Sequence, residues 1–160
     1  HPMDGTELFR RLQRVSHEKF VLHGSPHKLT VIEPRQAYFR EESPHANEHA
    51  IYATTYTPIA VLYALIREPQ EMWGWRIETD PKDFGLQVRA PAELRLGKGY
   101  LYLLPRQHFI SNPDDPLGIV SRAYEPLTPR RVYEVDTSVM EYMEEQHLVK
   151  FLEPWPPSPD

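Results

Sequence analysis

A chain of 160 residues, 40% apolar and 26% charged, is long enough to bury a core and short enough that one domain is the default. No run approaches the roughly 18–20 apolar residues of a membrane span, and a net charge of -5 supplies no overall footprint for phosphate backbones, which argues against a general nucleic-acid binder. The absence of Cys excludes disulfide frameworks, Cys-ligated zinc and thiol nucleophiles.

No signal peptide is visible, so the cytoplasm is the default compartment. His1-Pro2 ahead of Met3 reads as a remnant of cleavage, the domain is expected over residues 4–152, and residues 153–160 form a Pro-rich tail in which Trp155 pins the segment to the body. The 17 prolines predict short strands and many turns, because each removes a backbone donor and restricts the residue before it.

From Asp4 the pattern is helical. Leu8, Leu12 and Val15 line one face, Arg10, Arg11 and Arg14 spread over the solvated side, and Asp4 with Glu7 can form a capping box. Val21-Leu22-His23-Gly24-Ser25-Pro26 reads as a buried strand whose last side chains emerge at a turn. An imidazole there can donate from one nitrogen and accept at the other, which suits a ligand hydroxyl. Gly24 allows close backbone approach to a ligand, and Ser25 adds a hydroxyl.

Leu29 to Ile32 alternates as a short strand, stopped by Pro34, and residues 35–49 read as a loop over the site. Arg35 and Arg40 on that loop are planar bidentate donors and candidates for an anionic group. His45, Glu48 and His49 match no standard metal-ligand frame, and no metal is expected. Ala50-Ile51-Tyr52-Ala53-Thr54 reads as a strand, followed by a helix over residues 58–66 with Thr57 as N-cap, Pro58 first, and Ile59, Leu62, Tyr63 and Ile66 on a core face.

The His-Gly-Ser strand end and the Ile-Tyr-Ala-Thr strand leading into an Ala-rich helix resemble the ADP-ribosyltransferases of the diphtheria toxin and poly(ADP-ribose) polymerase type. The resemblance covers about a third of the chain. It implies an α+β fold in which two small, mostly antiparallel half-sheets enclose an NAD cleft with flanking helices. It also implies that His23 and Gly24 hold the adenine ribose and the nicotinamide amide while Tyr52 stacks on the nicotinamide ring. Ser25, Arg35 and Tyr63 are the remaining candidates for contact with NAD, although Tyr63 by itself reads as packing.

Trp73 to Thr79 alternates as a half-exposed strand, with Phe84 to Val88 as its hairpin partner. The hairpin reads as an insertion whose tryptophans, if exposed, are candidates for target recognition, although core packing is their more usual place. Gly97-Lys98-Gly99 opens an apolar strand, Tyr100 to Leu104, ended by Pro105.

Cleaving the nicotinamide–ribose bond passes through a cation-like transition state, which a carboxylate stabilises. Residues 121–135 resemble the region in which the polymerases place a Glu at the start of a late strand, and also a phrase of small bacterial rifampicin ADP-ribosyltransferases; Glu125 is therefore the first choice. Those small enzymes place an important Asp after the strand matching Tyr100 to Leu104, which leaves Asp114 and Asp115 as alternatives to a turn role. Ser121, Glu134 or no acid at all stay open, and Glu134 with Asp136 reads as a solvent face. Residues 138–148 permit a helix with Met140, Met143 and His147 on one side.

The expected function is mono-ADP-ribosyl transfer from NAD to an unidentified acceptor, whether protein, nucleotide end or small molecule, with nicotinamide released. NAD hydrolysis, a non-catalytic NAD or ADP-ribose module, and removal of an RNA 2'-phosphate by a related fold are the alternatives. The last needs converging positive groups, which the acidic balance disfavours.

Overall fold

The computed structural model describes residues 3–37, 47–83 and 85–154. Among the described residues, three α-helices and two sheets make an α+β architecture. Helix α1 (Gly5–Leu12) starts as its sequence predicts, the Asp4 carboxylate accepting the Glu7 N–H at 2.8 Å, and buries Leu8 and Leu12.

The larger sheet has seven antiparallel strands. Its path runs β7 (Ile110–Ser111), β8 (Val120–Ala123), β3 (His49–Thr54), β1 (Phe20–Ser25), β6 (Gly99–Pro105), β9 (Arg131–Val135), with β2 (Arg35–Gln36) pairing on β3. Its pairing is uneven. β1 is in register with β6 over all six residues, and β3 with β8 over four, but β1 and β3 share the single registered pair Leu22↔Thr54. The sheet is thus two paired halves, β1-β6-β9 and β2-β3-β8-β7, meeting at one seam.

Helix α2 (Thr57–Leu65) lies on the β1-β6 half. It is apolar all round, and eight of its nine residues are buried, which is the signature of a helix enclosed on every side. Two glycines permit this: a Cβ on Gly24 of β1 would collide with the Ala60 carbonyl, and one on Gly99 of β6 with the Ala64 carbonyl. The predicted N-cap shifts by one residue. Tyr56 occupies it without a side-chain bond, while the Thr54 hydroxyl accepts the Tyr56 N–H at 3.0 Å.

The hairpin forms as expected, β4 (Gly74–Glu78) against β5 (Gly85–Arg89), with Phe84 outside the described residues. It is not a simple insertion, however. Strand β10 (Val149–Leu152), which the sequence did not announce, pairs parallel to β5 and completes a second, three-stranded sheet. This sheet, α2, and helices α1 and α3 (Thr137–Glu145) share the main core, in which Leu62, Leu65, Val88 and Met143 are fully buried. Each buried Leu contributes about 1.5–3 kcal/mol relative to exposure. A smaller core lies on the opposite face of β1 and β3, where Val21, Ile51 and Tyr102 meet Ile32 and Leu127.

Several expectations need correction. Only Ile32 of the Leu29–Ile32 stretch pairs, exchanging two backbone hydrogen bonds of 2.8 and 2.9 Å with Leu127. Trp73 packs in the core, the usual place for such a residue, so the target-recognition alternative does not apply to it. Asp136 is not on a strand face but caps α3, accepting the Ser138 N–H at 2.9 Å. His147 lies beyond α3, exposed, with a left-handed φ of 59°, so it shares no face with Met140 and Met143. Arg40, His45 and Trp155 lie outside the described residues. Among the described residues no helix is long and apolar enough to cross a membrane.

Candidate functional site

The seam between the two half-sheets borders the site. Past Leu22, β1 continues along β6 and β3 along β8, and the His23 ring spans the gap: its Nδ1 lies 2.7 Å from the Tyr52 carbonyl oxygen. Because a carbonyl only accepts, Nδ1 carries the proton, and Nε2 of the neutral ring is left as an acceptor. Burial holds the imidazole below its usual value, and the positive charge of Arg35 acts in the same direction, against the upward pull of the carbonyl bond.

A cavity of about 760 Å³ opens here, a volume in the range of small-molecule sites. His23, Gly24, Ser25, Arg35, Tyr52 and Tyr63, which come from four separate segments, all line it. So do Asp114 and Asp115. Glu125 does not: it is exposed in the turn after β8 and outside the lining, so the first choice of acid falls away from the cavity. Ser121 is buried in β8, and Glu134 pairs with Lys98 at 2.8 Å on β9; neither lines the cavity.

The two aspartates differ in what surrounds them. Asp115 organises its loop, one oxygen accepting the Leu117 N–H at 3.0 Å and the other those of Ile119 and Val120 at 2.6 and 2.7 Å. A carboxylate spent on three amides is a turn builder. Asp114 is exposed at the rim, its backbone N–H donating to the Asn112 side chain at 3.0 Å. The loop therefore presents Asp114 to the cavity on a frame fixed by its neighbour.

Gly24 lines the cavity with its backbone, and its missing side chain also makes room for α2, since the space a Cβ would take is already filled by the Ala60 carbonyl. Ser25 is likewise engaged, its hydroxyl accepting the His27 N–H at 3.1 Å. The turn that follows is held by one phenol: the Tyr102 hydroxyl donates to the His27 carbonyl and accepts the Leu29 N–H, both at 2.6 Å. The rear of the cavity's His strand is therefore rigid.

The small sheet supplies an aromatic wall. The Trp75 indole donates to the Tyr63 hydroxyl at 2.9 Å, and the rings of Tyr63 and Trp73 lie 5.1 Å apart. Sequence reading had no means of joining these residues, because only the packing of β4 on α2 brings them together.

A further cluster was missed outright. Glu48 Oε2 accepts from Arg122 Nη1 at 2.5 Å and from the Tyr124 hydroxyl at 2.8 Å, while the Glu48 N–H donates to the Tyr52 hydroxyl at 2.9 Å. Arg122 is buried and stands opposite Tyr52 in the β3-β8 register. A buried Arg partnered by a loop Glu fixes the Tyr52 phenol, whose ionisation burial pushes up. The signal in the sequence was an Arg in a short strand between Ser121 and Ala123. Among the described residues no group of three His, Asp or Glu is placed to hold a metal ion.

The lowered His23 value has a measurable consequence. A folded state that binds this proton more weakly than the unfolded chain keeps its full stability above about pH 6.5 and loses it as pH falls from there toward the folded value. The melting temperature should drop between about pH 7 and 5, and His23→Gln should drop less over the same interval. Parallel curves for the two proteins would mean that His23 titrates as it does in the unfolded chain.

Comparison with protein-family models, curated proteins and solved structures returned no match.

Proposed function

We propose that the seam cavity binds NAD and that the chain is a mono-ADP-ribosyltransferase, releasing nicotinamide and passing ADP-ribose to an acceptor. The observation that carries this reading is the convergence of His23, Tyr52 and Asp114, from β1, β3 and the loop before β8, on one cavity at the split of an antiparallel sheet. A sheet divided into two halves at the His and Tyr strands also supports an ADP-ribosyltransferase-like fold.

The neutral His23 ring offers Nε2 to a ribose hydroxyl, with the Tyr52 carbonyl fixing its orientation. Tyr52 stacks on the nicotinamide ring, and Arg35 on β2 supplies charge for the pyrophosphate. Departure of nicotinamide takes the bonding electrons from ribose C1' to the ring nitrogen, and the cation left on the ribose is stabilised by the Asp114 carboxylate. The acceptor's nucleophilic atom then forms the new bond to C1' and loses its proton.

The test is nicotinamide release from NAD, with the fate of labelled ADP-ribose followed in the presence of a cell extract. Label on an extract component establishes transfer, free ADP-ribose means hydrolysis, and a thermal shift with NAD but no nicotinamide means a binding module. Asp114→Asn should lower release by about 100-fold while NAD binding changes only a few-fold, the pattern of a group acting on the transition state. Glu125→Gln should leave release unchanged. Reversed results for these two variants would return the role to Glu125.

A further inference from the structure

A second concavity, of about 770 Å³, lies at the other end of β1, near Phe20. Phe20 and Ser25 are five residue steps apart along the strand, roughly 17 Å. Six of the chain's 18 lysines and arginines line it: Arg10, Arg11, Arg14, Lys19, Arg130 and Arg131. They come from three places in the fold. Arg10 and Arg11 are on α1 and Arg14 just beyond it; Lys19 is in the turn before β1, where the Lys19 and Phe20 N–H groups donate to the Ser16 carbonyl at 3.1 and 3.0 Å; Arg130 and Arg131 lead into β9. The Arg130 N–H donates to the Leu103 carbonyl at 2.7 Å, which fixes that corner.

All six side chains are exposed. Arg11 pairs with Glu7 at 2.8 Å; among the described residues the other five make no ion pair, and no Asp or Glu lines the concavity. Like charges gathered this way repel one another and are not a device for stability. The net charge of -5 conceals them, because a surface-bound ligand responds to charge within about a Debye length of 8–10 Å and not to the molecular sum.

We propose that this groove binds the phosphate backbone of a single-stranded nucleic acid. Five of the six cations are Arg, the side chain suited to bidentate phosphate contact. Between them the floor is apolar, with half-buried Phe20 and Val15 over buried Leu103 and Tyr133, and the Phe20 ring is a face on which an unpaired base can stack. A groove walled by cations with an apolar floor accepts a flexible strand better than the convex surface of a duplex. The site is independent of the seam cavity, and it stands or falls whether or not that cavity binds NAD.

The test is fluorescence anisotropy with labelled 12-nucleotide single strands, DNA and RNA, titrated with the whole chain. Three to five engaged phosphates predict that affinity falls roughly 20- to 100-fold between 50 and 200 mM salt. Arg14→Glu with Arg131→Glu should weaken binding at least 10-fold, and Arg14→Ala with Arg131→Ala should weaken it less; circular dichroism checks that both fold. No binding at about 50 mM salt, or equal binding by the variants, overturns the proposal. Tighter binding of the matching duplex overturns it in favour of a duplex reader, and equal competition by poly-glutamate overturns it in favour of an acidic protein segment.

Discussion

Replacement of Tyr52 by Ala is expected to abolish nicotinamide release, by about 100-fold or more, without unfolding the domain. Tyr52 is only half-buried, and its strand is held by four registered pairs with β8 and by Ile51 and Ala53 in the smaller core, none of which involves the phenol ring. Losing the ring should therefore cost about 1–2 kcal/mol of stability, while the proposed stacking surface for nicotinamide disappears. Tyr52→Phe separates the ring from its hydroxyl. It keeps the stacking face, loses the bond from the Glu48 N–H, and should retain release within about 10-fold. Normal release by Tyr52→Ala, measured alongside its melting curve, would remove Tyr52 from the mechanism.

The largest effect on stability is expected from Gly24→Ala. The added methyl would meet the carbonyl of Ala60, which belongs to the α2 backbone and cannot rotate away as a side chain does. The helix must lift from β1, disturbing a core in which Leu22, Ala64 and Leu62 are buried, at a cost of about 3 kcal/mol or more. Urea unfolding measures this directly. A midpoint change worth less than about 0.5 kcal/mol would show that α2 yields without disturbing the core. NAD affinity of the folded fraction adds a second reading: if Gly24 acts through packing, loss of affinity should follow loss of stability.

What the sequence made legible was local. Asp4 capping α1, the strand at His23, the strand at Tyr52, the apolar helix after it and the hairpin of Trp75 all follow from patterns within about ten residues, where periodicity and capping chemistry determine the outcome. The partners across the fold were not legible. Strand β10 pairs in parallel with β5 some sixty residues earlier, and no local pattern records a parallel partner. The same limit explains the acid. Glu125 and Asp114 are equally polar turn residues in sequence, and the choice between them depends on which turn faces the seam. Gly24 is the instructive case, because its motif was recognised but the helix whose carbonyl occupies its Cβ space was not.

The single pair joining β1 to β3 also sets how the molecule deforms. Within each half-sheet, continuous ladders make the strands move together; between the halves, Leu22↔Thr54 and the His23–Tyr52 bond are the fasteners described at the joint. Side-chain packing crosses the joint as well, but the backbone ladder is thinnest along one line, the line on which the cavity opens. A molecule bound across it acts as a splint, turning two stiff plates into one and spending part of its binding energy on that ordering. Slowed amide exchange at residues 22–24 and 52–54, with little change inside β6 or β8, is the mechanical signature of such a splint.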